Sequence, residues 1–409
     1  MSDSVFDYAR VLRPDLPAAA VRWTGYPKYN FVGGHNDEAS VPVDDLIAAA
    51  ASVLKREGST LAMYGLHSGP LGYRKLREFV ASKVARDAGI TCSPDDVLLT
   101  SGSLQGLDLV NAVFVAPGDT VIVEQATYGG AITRLNRAGA KIVGVPVDGD
   151  GLSPDALQQA LEQLRGKGIV PKYIYTIPTV QNPTATVMSE GRRARILELS
   201  RTYGVPIFED ECYADLTWEG RRPPAIYSMD RTGRVVHIGS FSKTVAPALR
   251  LGYLIAPWPL MSRVLSVKSD AGSGALEQMV LGEYCETHFE PHVRALRVTL
   301  RRKVDALIGA LRDRFGAEAR FEYPAGGIFL WVTLPDRVDT TKLAQVALQA
   351  GVAINPGAEW MTDAEAGRKR LRICFAHPTE EVLREGTARL AEICHREFGV
   401  PAREAQGHR

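Results

Sequence analysis

Short apolar runs alternate with amphipathic segments between about residues 94 and 257. The amphipathic segments have helical spacing, as in 153–164, which opens with a Ser-Pro pair, and in 192–203, which Gly204 closes. Strands that alternate with helices are typical of βα units around a mainly parallel sheet. The pattern therefore predicts an α/β fold whose large domain contains a mainly parallel seven-stranded sheet. Its strands are expected at 97–100, 120–124, 141–145, 172–176, 205–209, 235–238 and 252–255.

A second, smaller α/β domain is predicted after Pro291. Residues 292–315 have apolar positions near helical spacing with basic residues between them, which predicts a long helix that Pro291 starts. Further strands are expected at 327–333, 352–354 and 371–375, and a last helix at 380–398. The chain is therefore expected to divide into an N-terminal segment that joins the small domain (1–60), a large domain (61–290) and a small C-terminal domain (291–409).

Composition and charge exclude several classes of partner. The chain has 409 residues, of which 45% are hydrophobic, and its 48 basic and 47 acidic side chains leave a formal net charge of +1. This balance provides no long-range field for nucleic acid or an anionic membrane, and no apolar stretch approaches the ~20 residues of a membrane-spanning helix. The five cysteines stand apart, and residues 1–10 contain acids and no apolar core typical of a signal peptide. We expect a cytoplasmic protein that binds neither nucleic acid nor membrane.

Two polar turns follow predicted strands, and ligands collect at the carboxyl edge of such strands. In the turn 100–106, Gly102 allows a tight bend, and the amides of 103–105 with the Ser103 hydroxyl form a site for a phosphate. A Ser-Gly-Ser turn also caps helices that bind no ligand. In the turn 178–183, Pro183 favours an extended backbone at Asn182 and leaves its amide free to face a ligand, although such a turn can equally be an ordinary one.

Two further segments contain charged groups at strand ends. A buried-strand pattern ends in three acids, 209–211. A carboxylate at the inner end of a strand is costly to bury unless a cation or a strong donor meets it. The alternative is that all three acids are solvated. Lys243 directly follows a β-rich run within a loop of small residues, near the donors Ser240, Ser242 and Arg250. A lysine in such surroundings can act as a nucleophilic amine that joins a carbonyl, whereas most lysines are solvated.

The segment 240–252, Ser-Phe-Ser-Lys-Thr-Val-Ala-Pro-Ala-Leu-Arg-Leu-Gly, closely resembles the cofactor-lysine signature of fold type I pyridoxal-phosphate enzymes, the class I/II aminotransferases. The similarity is nearest to the aminoadipate and kynurenine aminotransferases. The phosphate turn, Asn182-Pro183, Asp210-x-x-Tyr213 and Lys243 occur in the family's order. The resemblance covers the chain from Tyr64 to Arg372.

The resemblance implies pyridoxal 5'-phosphate as the cofactor, held by Lys243 as a Schiff base (aldimine), in the large domain. It implies catalytic roles for Lys243, for Asp210 at the pyridine nitrogen and for Tyr213, which with Asn182 bonds the phenolic oxygen. Tyr128 stacks on the ring in this family, and Tyr64 reaches the phosphate from a neighbouring subunit, which implies a homodimer with shared active sites. The remaining implied cofactor ligands are Ser103, Leu104, Gln105, Ser240, Ser242 and Arg250.

The resemblance also implies the substrate side of the site. Arg372 matches the arginine whose guanidinium binds the substrate's α-carboxylate, and Asn182 lies beside it. Gly33 and Gly34 match a glycine segment that leaves room for the substrate. The implied reaction moves the amino group of an amino acid to a 2-oxo acid.

Other functions stay open on the sequence alone. After Gly34 comes His35-Asn36-Asp37, and after Gly65 comes Leu66-His67-Ser68, where the family has other residues. An added imidazole near the substrate would suit a lyase, a decarboxylating enzyme or an oxidative deaminase on the same scaffold, unless both histidines are ordinary loop residues. A ligand-sensing regulator would need a winged-helix segment, which the residues before Tyr64 do not resemble. His288 and His292 have metal-like spacing, but we expect a solvated face and no metal.

Overall fold

The computed structural model describes residues 6–14 and 16–401. Its strands are β1 (Tyr29–Asn30), β2 (Val97–Thr100), β3 (Thr120–Glu124), β4 (Lys141–Val145), β5 (Val147–Asp148), β6 (Gly151–Leu152), β7 (Ile174–Thr176), β8 (Ile207–Asp210), β9 (Val235–Ser240), β10 (Gly252–Ile255), β11 (Phe329–Thr333), β12 (Val352–Ala353), β13 (Asn355–Pro356) and β14 (Arg370–Cys374). Its helices are α1 (Val43–Glu57), α2 (Arg74–Ala88), α3 (Gly102–Phe114), α4 (Gly129–Arg137), α5 (Pro154–Gly166), α6 (Glu190–Tyr203), α7 (Ile226–Met229), α8 (Trp258–Val267), α9 (Ala275–Phe315), α10 (Thr340–Gln349) and α11 (Glu380–Phe398).

Seven strands form the central sheet, in the order β2-β10-β9-β8-β7-β3-β4. β10 runs antiparallel to both of its neighbours, and the other pairs are parallel. The predicted α/β fold with a mainly parallel seven-stranded sheet is confirmed. Because β3, β7, β8 and β9 run parallel, their carboxyl ends lie along one edge, where ligands bind in open sheets.

Helices cover both faces of this sheet. Along β3, Val121 and Val123 pack into one apolar cluster with residues of α3, α4 and α8. Ile122, which points the other way, packs with residues of α5 and α6. Because both faces are buried, these strands are apolar throughout rather than alternating, which is why the sequence pattern located them.

Helix α9 differs from the prediction. It begins at Ala275 and continues through Pro291 to Phe315, so Pro291 lies inside the helix and does not start it. A proline in a helix costs about 3 kcal/mol. Packing on both sides offsets this cost, because Met279 and Phe289 lie in one apolar cluster and Leu300 and Leu311 in another.

The C-terminal part has its own apolar core, formed by α9, α10, α11 and the three-stranded sheet β11-β14-β13. β1 pairs in parallel with β12, and Phe31 lies in the same core. Helix α1, which follows these residues, packs against α9 instead and contributes Ala49 and Val53 to a cluster with β2 and β10. The bounds 1–60, 61–290 and 291–409 stay a prediction, and residues 1–5, 15 and 402–409 lie outside the described residues.

Within residues 6–14 and 16–401, no helix has the length and apolar character to cross a bilayer. The same residues contain no group of three or more histidine, cysteine or carboxylate side chains placed to hold a metal ion. His292 instead contacts the carbonyl oxygen of Thr244 at 2.6 Å, and His288 stacks on Tyr284.

Candidate active site

A cavity of about 620 Å³ lies at the carboxyl edge of the central sheet. The large sheet contributes residues that follow β2, β8 and β9, and the C-terminal part contributes β11 and β14. Most of the residues singled out in the sequence line this one cavity: Gly34, Ser103, Leu104, Tyr128, Asn182, Asp210, Tyr213, Ser240, Ser242, Lys243, Arg250 and Arg372.

The Lys243 amine lies partly exposed in this cavity and donates a hydrogen bond to the carbonyl oxygen of Gly34 at 2.8 Å. Removal from water, together with the nearby cations Arg372 and Arg250, lowers the pKa of Lys243 to about 8. About a tenth of this amine is therefore uncharged at pH 7, far more than for a lysine of ordinary pKa, and only the uncharged form is a nucleophile.

Asp210 ends β8 and is buried. It accepts hydrogen bonds from the Tyr175 hydroxyl at 2.7 Å and from the Cys212 amide at 3.1 Å. Burial raises its pKa, and no lysine or arginine among the described residues forms an ion pair with it. A ligand with a protonated nitrogen would supply the missing cation.

A cluster of donors lies at another part of the cavity. Ser103 lies in the first turn of α3, whose free amides attract an anion. The Ser240 hydroxyl accepts from the Ser242 amide at 3.1 Å. The Arg250 guanidinium donates only to the carbonyl oxygens of Pro247 and Ser101, and no described carboxylate pairs with it. A Cβ at Gly102 would overlap this guanidinium, so the glycine is needed for its approach. The cluster suits a phosphate.

Arg372 is a buried cation without a carboxylate partner among the described residues. Its Nη atoms donate to Asn182 Oδ1 at 3.2 Å, to the Gly33 carbonyl oxygen at 3.0 Å and to Asn355 Oδ1 at 2.9 Å, while its Nε has no partner. Loss of water lowers its pKa to about 10, so it stays charged at neutral pH. An uncompensated buried guanidinium is costly, and a bound carboxylate would compensate it.

Aromatic and amide groups complete the walls. The Arg372 guanidinium lies between the rings of Phe329, at 3.7 Å, and Trp360, at 3.5 Å. The Asn182 amide donates to the Tyr213 hydroxyl at 3.4 Å. Burial raises the pKa of the Tyr213 hydroxyl, which stays protonated and can donate to an anionic oxygen. Tyr128 directly precedes α4, and its ring lies near that of Trp360, with 6.0 Å between ring centroids.

Two residues that the resemblance assigned to the cofactor lie outside this cavity. The Gln105 side chain turns back to accept from the Ser101 amide at 2.8 Å and donates to Asp270, because a glutamine here satisfies a free amide at the start of α3. Tyr64 is 91% exposed and lines a second cavity, of about 810 Å³, with residues of 265–278. Its predicted partner is another subunit, so this prediction is not tested within one chain.

The two histidines that departed from the family pattern do not line the cavity in the described structure. His67 is exposed. The His35 ring packs over Gly33 and faces His377, with 5.8 Å between ring centroids. Burial lowers the pKa of His35 below its ordinary value, and the charges of His377 and Lys243 act in the same direction. This imidazole is therefore neutral at pH 7. The edge of the ring lies against Gly33. The carbonyl oxygens of Gly33 and Gly34 accept hydrogen bonds from Arg372 and Lys243 respectively.

Several lining residues were missed in the sequence. They include Ile177, Cys212, Phe329, Asn355, Glu359 and Trp360. Phe329 and Trp360 had the composition of core residues. The sequence Asn355-Pro356-Gly357 directly follows a predicted strand, and this signal would have indicated Asn355 by the same argument that indicated Asn182.

The charges fit pyridoxal phosphate. The buried carboxylate of Asp210 needs a cation such as a pyridinium nitrogen, and the Ser103, Ser240 and Arg250 cluster needs an anion such as a phosphate. The Lys243 amine needs a carbonyl, which the cofactor's aldehyde supplies. Arg372, which no described carboxylate pairs with, leaves a place for a second ligand with a carboxylate.

Comparisons with known proteins agree with this chemistry. The family model for aminotransferase class I and II matches residues 30–390. The chain is 32% identical over 373 residues to aromatic-amino-acid aminotransferase 1 of Thermococcus litoralis, covering 90% of this chain and 88% of that protein. The multiple substrate aminotransferase of Thermococcus profundus superimposes with a TM-score of 0.88 at 30% identity, covering 96% of this chain and 100% of that chain.

A third relative was solved with a cofactor derivative. The α-aminoadipate aminotransferase of Thermus thermophilus, complexed with N-(5'-phosphopyridoxyl)-L-leucine, has a TM-score of 0.83 at 30% identity, covering 91% of this chain and 93% of that chain. The family and cofactor that the sequence predicted are thereby confirmed. The chain belongs to the class I and II aminotransferases, pyridoxal-phosphate enzymes that move an amino group from an amino acid to a 2-oxo acid.

Proposed function

We propose that Lys243 is the residue that carries pyridoxal phosphate covalently and that amino groups are exchanged at this position. The observation that carries the proposal is a single cavity that contains a lysine with a lowered pKa, a buried carboxylate and an arginine that no described carboxylate pairs with. Each of the three lacks a counterpart that the cofactor or the substrate supplies.

The side chains of the cavity would hold the cofactor by its charges. Asp210 would bond the ring nitrogen, and Asn182 and Tyr213 the phenolic oxygen. Tyr128 would stack on the ring. The donors for the phosphate would be Ser103, the Leu104 amide, Ser240, Ser242 and Arg250. When bound, the cofactor withdraws electrons from the substrate's Cα, and Asp210 supports this by keeping the ring nitrogen protonated.

The protein's own residues would perform the other tasks. Arg372 would bind the α-carboxylate with the guanidinium N–H groups that its protein partners leave free, among them Nε, and so orient the Cα–H bond. The Lys243 amine, once free of the cofactor, would accept the Cα proton as a general base and return it elsewhere. A pKa near the working pH suits an amine that must both take and give a proton. Gly34 would leave room for this movement, because a Cβ there would lie 2.6 Å from the Lys243 Nζ.

We further propose a homodimer with shared sites in the cytoplasm. Tyr64 and the neighbouring side chains Leu61 and Met63 are exposed apolar groups, which a second subunit would cover. All five cysteines are free in the structure, which supports a reducing compartment.

The test of the covalent site uses purified protein incubated with pyridoxal phosphate and reduced with borohydride. Peptide mapping should find the cofactor's mass on residue 243 and on no other lysine. Lys243→Ala should take up no reducible adduct, and an adduct at another lysine would refute the proposal. An amino-acid panel with and without 2-oxoglutarate should show keto acid formation that depends on the acceptor. Ammonia or carbon dioxide released without an acceptor would indicate a lyase, deaminase or decarboxylase instead.

Sharing of the sites is tested by mixing two inactive variants. In a hybrid dimer of Tyr64→Ala and Lys243→Ala, one site has both residues intact, so re-assembled mixtures should recover up to about a quarter of the wild-type activity. Mixtures that stay inactive, although light scattering shows dimers, would contradict shared sites.

A further inference from the structure

Glu124 is a fully buried carboxylate that no step of the proposed reaction uses. It ends β3, and no lysine or arginine among the described residues forms an ion pair with it. One carboxylate oxygen accepts from the Thr176 hydroxyl at 2.6 Å and from the Ile177 amide at 3.1 Å. The other accepts from the Gln181 side-chain amide at 2.9 Å. A carboxylate kept in the interior by neutral donors is costly to the fold.

Gln181 connects this carboxylate to the backbone of the cavity wall. Its Nε2 donates to Glu124 and also to the Ala126 carbonyl oxygen at 2.6 Å. Its Oε1 accepts from the amide and the hydroxyl of Thr184, at 2.8 and 2.7 Å. The amide group is therefore fully used, so Gln181 cannot reverse its orientation without losing bonds.

The turn that Gln181 fixes has an unfavourable backbone. Val180 and Ala185 have φ values of 54° and 58°, in the left-handed region that favours glycine. A residue in this region costs about 1–3 kcal/mol and persists only when neighbouring contacts impose it. Gln181 lies between these two residues in the sequence. Its hydrogen bonds to Glu124 and to Thr184 supply such contacts.

Asn182, the next residue, lies in the active site. Its Oδ1 accepts from Arg372 and its Nδ2 donates to Tyr213. The position of one turn thus determines the geometry of two groups that line the cavity, although Glu124 itself contacts neither.

We propose that Glu124 is a positioning residue for the aminotransferase reaction, which acts through Gln181 to hold Asn182 against Arg372 and Tyr213. The inference rests on the proposed role of Arg372 in binding the substrate's carboxylate. Glu124→Gln keeps the shape of the side chain but replaces one acceptor by a donor. Because Ile177 and Thr176 also need an acceptor, the new amide would face the Gln181 amide, donor against donor.

A purely structural role would give a different result, and Glu209 provides the matched control. It is also a fully buried glutamate of the same sheet, in strand β8, which β7 separates from β3, but it accepts from the amides of Ile226 and Tyr227 and contacts His237, away from the turn at Asn182. Glu209→Gln should lower the thermal midpoint and leave KM unchanged.

The experiment compares wild type, Glu124→Gln and Glu209→Gln, each loaded with pyridoxal phosphate, with the amino acid that wild type turns over best. Glu124→Gln should raise KM for the amino acid about tenfold, because a change of that size corresponds to the loss of one hydrogen bond to a charged group. We expect kcat to change less.

Equal losses of thermal stability in the two single variants, with KM unchanged in both, would overturn the inference. A wild type that loads the cofactor but transfers no amino group would instead overturn the proposed function. If Glu124→Gln does not fold, Gln181→Met breaks the same link and leaves the bonds from Thr176 and Ile177 in place. An unchanged KM in that variant would equally refute the positioning role.

Discussion

The Nζ atom of Lys243 lies 2.8 Å from the carbonyl oxygen of Gly34, and a Cβ built on Gly34 would lie 2.6 Å from the same Nζ. The two residues are far apart in the sequence, yet the position of the Lys243 amine depends on the backbone of Gly34 in two ways. The carbonyl oxygen accepts one N–H of the amine, which orients the remaining valences toward the cavity. The absence of a side chain at Gly34 provides the space in which the amine lies.

Gly34→Ala should therefore impair the active site more than the fold. The added methyl group must displace the amine, and a misplacement of about 1 Å at a reacting group can cost roughly 100-fold in rate. We expect a loss of this order in kcat/KM with a nearly unchanged thermal midpoint. Gly191→Ala, in α6, has nothing within 4 Å of the new Cβ and is the control. A Gly34→Ala enzyme with wild-type kcat/KM would show that the Lys243 amine can keep its reactive position beside the added methyl group.

The lowered pKa of Lys243 predicts a pH dependence of cofactor attachment. The uncharged amine reacts with the aldehyde, so the attachment rate of cofactor-free protein should rise with pH and level off above a midpoint near 8. The midpoint for an ordinary lysine would lie near 10.5. Stopped-flow absorbance with added pyridoxal phosphate measures this rate. A rate that still climbs steeply above pH 9 would contradict the lowered pKa.

The same pKa shift sets the sign of a stability effect. The folded state releases the Lys243 proton near pH 8, whereas the unfolded chain holds it to about 10.5. Between these values the unfolded state binds more protons, so the contribution of this group to the free energy of unfolding rises with pH. In cofactor-free protein, wild type should gain stability relative to Lys243→Ala between pH 8 and 10.5. An equal pH profile for the two proteins would exclude this linkage.

Local sequence patterns located the residues that follow strands of the large sheet. Ser103, Asp210 and Lys243 each come directly after an apolar run, and parallel strands bring their carboxyl ends to one edge. The walls from the C-terminal part were harder to predict. Trp360 meets Arg372 through tertiary packing alone, and its own neighbours in the sequence resemble an ordinary turn.

Tertiary packing also explains the error at Pro291. Local chemistry favoured a helix start there, but the two halves of α9 are each buried against a different apolar cluster. The Gln105 side chain accepts a hydrogen bond from the Ser101 amide at the start of α3. The family resemblance did not reveal this role.

Arg372→Lys tests whether geometry or charge matters at the carboxylate site. Lysine keeps the charge but loses the planar pair of Nη donors and the stacking between Phe329 and Trp360. One lost charge-assisted hydrogen bond is worth about 1.5–3 kcal/mol, so kcat/KM for the amino acid should fall about 10- to 100-fold. The borohydride-trapped adduct at Lys243 should persist, which separates substrate binding from cofactor binding. An unchanged kcat/KM would assign the carboxylate to another residue.

Two helical glycines predict opposite effects of alanine on stability. Gly309 lies inside α9 with open space around a new Cβ, so Gly309→Ala should stabilise the protein by about 1 kcal/mol, the difference in helix propensity. Gly106 lies inside α3, where a Cβ would overlap the Ile238 side chain, so Gly106→Ala should destabilise it by about 1–3 kcal/mol through overpacking. Thermal unfolding of the cofactor-free proteins measures both. Because Ile238 belongs to β9, which leads to Lys243, a destabilised Gly106→Ala should also bind the cofactor more weakly, whereas Gly309→Ala should bind it as wild type does. Stabilisation by Gly106→Ala would mean that α3 can move away from the sheet.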